Sequence, residues 1–422
     1  MEGQRGAIRA FPFPPESPNM SPRVKHLAAV LAVSLAAASA AHAEDGFSYR
    51  LSGFGTLGYA ATDSDDVRLT NPNQLKGARE SGSALVDSRI GGQLDLTFSP
   101  ALSATVQGIA MQDAKGRFRP QLEWAFLRYK LADSVALRVG RLGFPAYLVS
   151  DYRYVGYANP WVRAPLEVYN LAPLDNFEGA DVSWNHDVGN GYLTVQALAG
   201  HASTPIADSA DASGRLKVNQ LVGGYATWEI GNLRLRGGVS TGQVSYHTSG
   251  TEQLFGGLQQ AGFGGIVDQF EADNSRTTFT SFGGNYDAGN VLLTGEYAKL
   301  RSASRLLGHA SGWYGTFGYR LGKVMPYVTW AGYSKASDTD SYQIPAVDPL
   351  LPLATGLHGI AASNSQHTTS LGMKVDARNN VALKAQVDRV LPSARGGTFS
   401  GVVPGYDGHA VNVYSVVVDF VF

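Results

Sequence analysis

The chain has no cysteine and little charge: only 16% of its 422 residues are Asp, Glu, Lys or Arg, and the formal net charge is -1. Without thiols there is neither a disulfide framework nor a thiolate metal site, a composition compatible with an oxidising periplasm, where free thiols are a liability. Without a basic excess there is no electrostatic footprint for nucleic acid. Beyond residue 43 no apolar run reaches the roughly 18 residues of a membrane-spanning helix, so the mature product is either soluble or a barrel. What is abundant is glycine and tyrosine, 50 and 20 residues, in a chain that is 44% hydrophobic. Many strands, tight turns and aromatic membrane girdles consume that mixture.

The N-terminus carries an export signal. Arg23 and Lys25 precede an apolar run over residues 27–41 that ends in Ala41, His42 and Ala43. A basic flank, a short apolar core and a small-x-small triplet make a cleavable secretory leader, and the core is shorter than the roughly 20 residues a spanning helix needs. Residues 1–43 are therefore set apart as N-terminal extension and leader, with cleavage before Glu44, and residues 44–422 as one domain. Residues 1–19 are proline-rich and polar, unlike the start of an export signal, which makes Met20 a candidate initiator.

Period-2 alternation recurs along the rest of the chain. At the C-terminus Tyr414, Val416, Val418, Phe420 and Phe422 share one face against Ser415 and Asp419. From residue 47 to 61 the apolar set Phe47, Tyr49, Leu51, Leu57 and Tyr59 alternates with Ser48, Arg50, Ser52 and Thr56. A soluble sandwich also alternates, but its strands stop at about 5–6 residues, half the length of these runs. Short Asp-, Asn-, Gly- or Pro-rich turns at residues 99–101, 131–134, 185–191, 229–232, 287–290, 320–323 and 376–380 interleave with longer stretches. The latter fall at 62–84, 113–120, 142–177, 201–216, 247–275, 301–311, 335–366 and 392–410. This predicts a transmembrane antiparallel β-barrel of about 16 strands with short periplasmic turns and long extracellular loops. Closure also removes the unpaired sheet edges that neither water nor hydrocarbon tolerates. Trp313, Phe317, Tyr319 and Leu321 read as lipid-facing. Val381, Leu383, Ala385 and Val387 alternate with Ala382, Lys384, Gln386 and Asp388, and the inward Lys384 and Asp388 imply a hydrated lumen. Between Lys217 and Glu229 either phase fits.

The terminal Phe422 with Phe420 and Tyr414 in alternation, the segments GRLGFPAYLVSDYRYVGYANPW and QHTTSLGMKVDARNNVALKAQVDRV, the leader and the strand count together resemble a proteobacterial general porin of the 16-stranded type. The resemblance implies an outer-membrane pore for passive diffusion of small hydrophilic solutes and ions, usually trimeric, surrounded by outer-membrane lipid. It also implies a C-terminal strand read by the barrel assembly machinery and a third long loop, here residues 142–177, folded into the lumen as a constriction. The short acidic-glycine signature of the best-known constriction loops is missing. No cofactor, metal or nucleic acid is implied.

In a pore, selectivity comes from size and from charges aimed at the narrowest section. Arg50, Arg89, Arg128 and Arg138 fall on the expected lumen face of the first, second, fourth and fifth strands, with Arg141 just beyond. Asp151, Glu167 and Asp175 lie on the expected inserted loop together with Arg153 and Arg163, and Arg234 and Arg236 share one face of the ninth strand. A basic wall opposed to an acidic loop sets a transverse field; the plainer reading is that these charges pair with one another or hold the loop. Tyr147, Tyr152, Tyr154, Tyr157, Trp161 and Tyr169 either form a stacking surface for solutes or pack the loop against the wall, and the packing reading is favoured. A substrate-specific channel needs the same barrel and differs in a few constriction side chains. A barrel enzyme is disfavoured, because the nine histidines fall mostly in leader, loops and turns without zincin spacing. A surface adhesin would act through apolar loop stretches such as residues 344–353 and 255–267, which have packing over the mouth or against neighbouring loops as their plain alternative.

Overall fold

Alternating side chains are realised as the two faces of one closed sheet in a computed structural model that describes residues 46–207 and 214–422. The leader, the cleavage point before Glu44 and the start at Met20 lie outside the described residues. The strands are β1 (Ser48–Thr62), β2 (Arg89–Thr97), β3 (Leu102–Gln112), β4 (Phe118–Ala132), β5 (Val135–Gly143) and β6 (Asn176–Val188). They continue with β7 (Gly191–Ile206), β8 (Gly214–Ile230), β9 (Leu233–His247), β10 (Ser275–Ala288) and β11 (Val291–Ser302). The circuit ends with β12 (His309–Tyr319), β13 (Val324–Lys335), β14 (Asn364–Arg378), β15 (Val381–Pro392) and β16 (Val411–Val421). Each strand pairs antiparallel with its sequence neighbours, and β1 closes the 16-stranded barrel on β16. At that seam the rings of Phe420 and Phe422 lie over Gly55 and Gly53, where a Cβ would stand 2.4 and 2.2 Å from ring atoms. Only glycine leaves room there for the last strand's aromatics.

The outer face is largely apolar. Leu57 (64% exposed), Phe282 (59%), Trp330 (50%) and Leu371 (62%) are exposed as no soluble sandwich core would leave them, which suits hydrocarbon. Phe282, Tyr297 and Trp313 stand in register across β10, β11 and β12 as part of an aromatic row. Trp313, Phe317, Tyr319 and Leu321 face outward as read from the sequence. Loop and strand alternate in the expected order, although β7 and β8 reach further toward the loop rim than residues 201–216 allowed for.

The ambiguous phase of β8 has a local cause. The β8 to β9 register shifts between Asn219 and Val222, and Gln220 takes a positive φ of 49°. One extra residue at this bulge swaps the inward set from Leu216 and Val218 to Leu221 and Tyr225, all buried; each phase holds for half the strand.

The interior differs from the hydrated lumen expected. Lys384 and Asp388 do point inward, but both are buried, because residues 144–175 fold back inside the barrel and cover them. The largest fully buried side chains include Trp161, Tyr147 and Tyr169 of that segment. They pack with inward Phe279, Tyr314 and Tyr327 of the wall into one apolar core. At the long-loop rim, α2 (Ser249–Gln260), α3 (Gly264–Phe270) and α4 (Leu351–Ala361) bury Phe255, Leu258, Val267, Phe270 and Leu357 against each other. The first of these helices is capped by Thr248, whose side chain accepts from the Thr251 N–H while the Thr251 hydroxyl accepts from the Thr248 N–H, the capping-box arrangement. Much of residues 255–267 thus packs against neighbouring loops; Val347 (59% exposed) and Leu351 (44%) stay outside. (α1 is the short helix Leu166–Tyr169 within the inward loop.)

Deleting Gln220 is expected to turn Leu216 and Val218 outward and Arg215 and Lys217 inward, abolishing the heat-modifiable folded band on gels; a normal folded band would show that register here does not depend on the bulge.

Candidate functional site

The inward loop starts and ends at the same point of the wall, where the Phe144 N–H donates to the Asp175 carbonyl at 2.9 Å. Its two limbs are stitched by Tyr147: the hydroxyl accepts from the Ala172 N–H (2.8 Å) and donates to the Ala172 carbonyl (3.1 Å). The Tyr147 ring stacks on Tyr169 at 4.5 Å and meets Phe279 edge-on at 5.4 Å. Trp161 donates its indole N–H to Thr316 at 2.8 Å and stands edge-on to Tyr314. These aromatics pack the loop; they present no stacking surface to a solute.

Charged wall residues fasten the rest. Lys384, with its side chain 0% exposed, donates to the carbonyls of Gly156 (2.7 Å) and Trp161 (2.9 Å) and pairs with Asp419 at 2.8 Å. Asp419 also accepts from Thr56 at 2.5 Å. A Cβ on Gly156 would lie 2.0 Å from the Asp419 carboxylate, so glycine is what lets the loop come this close. Arg163 donates to Asp87 through two nitrogens (3.1 and 2.6 Å), to Asp388 (3.3 Å) and to Ser415 (2.7 Å). Buried charge is tolerable only when compensated in this way. Glu296 accepts from the Leu148 N–H at 3.0 Å and the Tyr169 hydroxyl at 3.1 Å. Gln386 accepts from the Val162 N–H (3.1 Å), and Ser281 donates to the Ala146 carbonyl (2.5 Å). Short helix α1 lies on Gly312 of β12, where a Cβ would be 1.9 Å from the Glu167 carbonyl oxygen. Burial pushes the Glu167 carboxyl above its ordinary range, and Gln366 (2.6 Å) and Thr368 donate to it.

The residues expected at a constriction therefore separate into groups. Arg163 and Glu167 anchor the loop to β14, β15 and β16. Arg153 pairs with Asp175 and donates to the Tyr154 hydroxyl (2.8 Å), an arrangement internal to the loop. Arg89 donates to the Tyr154 carbonyl at 2.8 Å, and Tyr157 donates to the Asn379 carbonyl at 2.8 Å. Tyr152 packs half-buried against the loop core. Arg141 stands on the outward face: it alternates with inward, buried Leu142, pairs with Glu178 and donates to the Leu122 carbonyl at 3.0 Å. Tyr414 and Phe422 face outward, and Phe420 covers the seam glycine.

The charges left facing open space lie on the short-turn side of the loop. Asp151, 56% exposed, meets Arg236 at 3.1 Å and Arg234 at 4.0 Å. The acidic loop is thus opposed by the ninth strand rather than by the arc of the first five. Arg138 pairs with Asp181 at 2.6 Å and lies over the Phe126 ring; Arg50 pairs with Asp95 at 3.1 Å. Exposed Arg128 stands beside Arg138 in the β4 to β5 ladder, without an ion pair among the described residues. Reading the sequence missed Asp87, Glu296 and Asp419 as anchors. The two wall residues were findable as charges at inward positions, but only the covering loop makes them structural.

The sequence contains one G-x-S-x-G pattern, residues 238–242. It lies inside β9 and not at a strand-to-helix turn, and Ser240 accepts from the Tyr225 hydroxyl at 3.1 Å; an esterase elbow needs the turn.

No protein-family model and no curated relative matches the sequence. The solved structures to which the chain is similar include OmpT of Vibrio cholerae, an outer membrane protein folded in vitro, in trimer form (TM-score 0.51, 11% identity, 90% of this chain and 100% of that one), and the outer membrane channel DcaP of Acinetobacter baumannii (0.51, 11%, 90% and 99%). The fold is that of 16-stranded outer-membrane channels.

Replacing Arg163 by Ala leaves Asp87 and Asp388 buried without their cation, and the expected loss is about 3–5 kcal/mol of unfolding free energy, read from denaturant titration in detergent. A change below about 1 kcal/mol would mean that the pair is no anchor.

Proposed function

We propose that the chain is an outer-membrane channel for passive passage of small hydrophilic solutes and ions, exported through the periplasm and carrying no enzymatic activity. The observation that carries this reading is the fastened inward loop. A closed barrel with an apolar outer band spans a membrane without further help, whereas a loop held across its lumen by buried charges, with arginines and carboxylates beyond it, sets a narrow charged section. That arrangement supports selection by size and field. Arg50, Arg128, Arg138, Arg234 and Arg236 against Asp95, Asp151, Asp181 and Glu229 make the short-turn half of the lumen polar and mixed in sign, with a cationic surplus at Arg128.

Homotrimeric assembly belongs to the same proposal. The ion pair of Arg141 and Glu178 on the outward face is costly against hydrocarbon, and a subunit contact over β5 and β6 would cover it. The similar Vibrio cholerae protein is described in trimer form. The outward Tyr414, Phe420 and Phe422 suit recognition by the barrel assembly machinery.

Single-channel recording in planar bilayers under a salt gradient tests the reading. Stepwise currents in groups of three are expected, with the reversal potential moved toward cation preference by Arg128→Ser and toward anion preference by Asp151→Asn. No current from demonstrably folded protein would overturn the channel; steps with neither shift would remove these two residues from the narrow section.

A further inference from the structure

On the long-loop side of the inward loop lies a chamber of different chemistry. It holds about 440 Å³ and opens to the outside, between the wall of β7 to β11, the returning limb of the inward loop and the first and last long loops. Among the described residues that line it none is Asp, Glu, Lys or Arg, although ion pairs crowd the lumen just beyond the loop. Leu216, Val218, Leu221 and Val244 come from the wall, Leu174 from the loop, and Phe279 presents its ring. All six are buried, and each occupies an inward strand position or the loop limb facing the wall.

The polar groups around it are already engaged. Thr70 donates to Ser400 (3.3 Å), Asn73 to the Pro173 carbonyl (2.9 Å), Thr241 to the Thr277 carbonyl (3.1 Å) and Gln74 to the Val86 carbonyl (3.0 Å). The side-chain amide of Asn170, at the chamber's loop edge, has no hydrogen-bond partner among the described residues. A sugar or an ion entering here would lose hydration and find almost nothing to replace it. A flat apolar body would be welcomed by the aliphatic wall and by the Phe279 edge, and a single hydroxyl would suffice for Asn170.

We infer that this chamber is a binding site for an uncharged aromatic molecule bearing one polar group, a phenol or aryl alcohol, gathered at the outer mouth before it meets the charged section. The inference rests on the channel reading for its purpose and not for the binding itself. Pockets for drug-sized ligands run to about 300–1,000 Å³, and a chamber of about 440 Å³ takes one or two fused rings. Apolar area removed from water supplies the affinity, and the lack of a cation among the described lining residues supplies the discrimination against aryl carboxylates, which would have to shed solvent without a counter-charge to meet.

The test uses 1-naphthol as probe, titrated calorimetrically into the full chain in nanodiscs with empty nanodiscs as background, and 1-naphthoate and glucose as comparators. Saturable naphthol binding is expected, with naphthoate and glucose at least about tenfold weaker. Val218→Asp is expected to weaken naphthol about tenfold or more; Val244→Asn is the second variant should Val218→Asp fail to give the heat-modifiable folded band. Uptake indistinguishable from empty nanodiscs, naphthoate binding as tightly as naphthol, or naphthol binding unchanged in a folded variant would each overturn the site. Naphthol binding in a protein that passes no current would uphold the site and defeat the channel reading, whereas current without naphthol binding would do the reverse.

Discussion

Everything inside this barrel depends on the compensation of a few buried charges. Lys384 and Arg163 each meet carboxylates, at Asp419 and at Asp87 with Asp388; Arg163 ties the inward loop to β15 through Asp388 and to the segment before β2 through Asp87, whereas Lys384, paired with Asp419 within the wall, holds the loop by its backbone. The attraction is strong because water is excluded, and the same exclusion makes a missing partner costly. Backbone carbonyls of Gly156 and Trp161 complete the shell around the Lys384 ammonium. A loop held in this manner behaves as part of the core. Its tyrosines and tryptophan then fill the space between anchors, and glycines at positions 156 and 312 set how closely it approaches the wall.

Fixing the loop divides the lumen into two unlike halves. Toward the short turns, arginines and carboxylates remain in partial contact with open space; toward the long loops, aliphatic and aromatic side chains line a chamber with no charged side chain among its described residues. The division follows the strands themselves: β9 carries inward Val244 and Ser240 on one side of the loop and Arg236 and Arg234 on the other. A solute crossing such a barrel meets apolar contact and charge in succession, so selection by affinity and selection by field are separated in space.

The barrel itself was legible in the sequence because lipid and interior impose a period of two on every strand, and turns announce themselves through Asp, Asn and Gly. Strand number and order follow from the interleaving of short turns and long loops, and the outward set around Trp313 and Leu383 from the period of two. The phase of β8 was not legible, since a bulge at Gln220 obeys neither phase throughout. The interior was legible only in part. Inward charge was readable at Lys384 and Asp388, but whether such a charge faces water or a covering loop is a long-range fact, decided by residues more than two hundred positions away in sequence. For the same reason Arg163 and Glu167 read equally well as field-setting and as anchoring groups, whereas the outward face of Arg141, three residues past inward Arg138, was legible from the period of two. Aromatic crowding in residues 142–177 did favour packing, and packing is what Tyr147, Trp161 and Tyr169 do.

Hydrogen exchange read by mass spectrometry on the full chain in detergent measures the central point most directly, because exchange reports how often a segment opens. Amides of residues 146–170 are expected to be protected about as well as those of the strands, and far better than those of the mostly exposed loop residues 343–349. Exchange of residues 146–170 as fast as that of the outer loops would contradict the account, since a loop that opens freely is held by none of the ion pairs described.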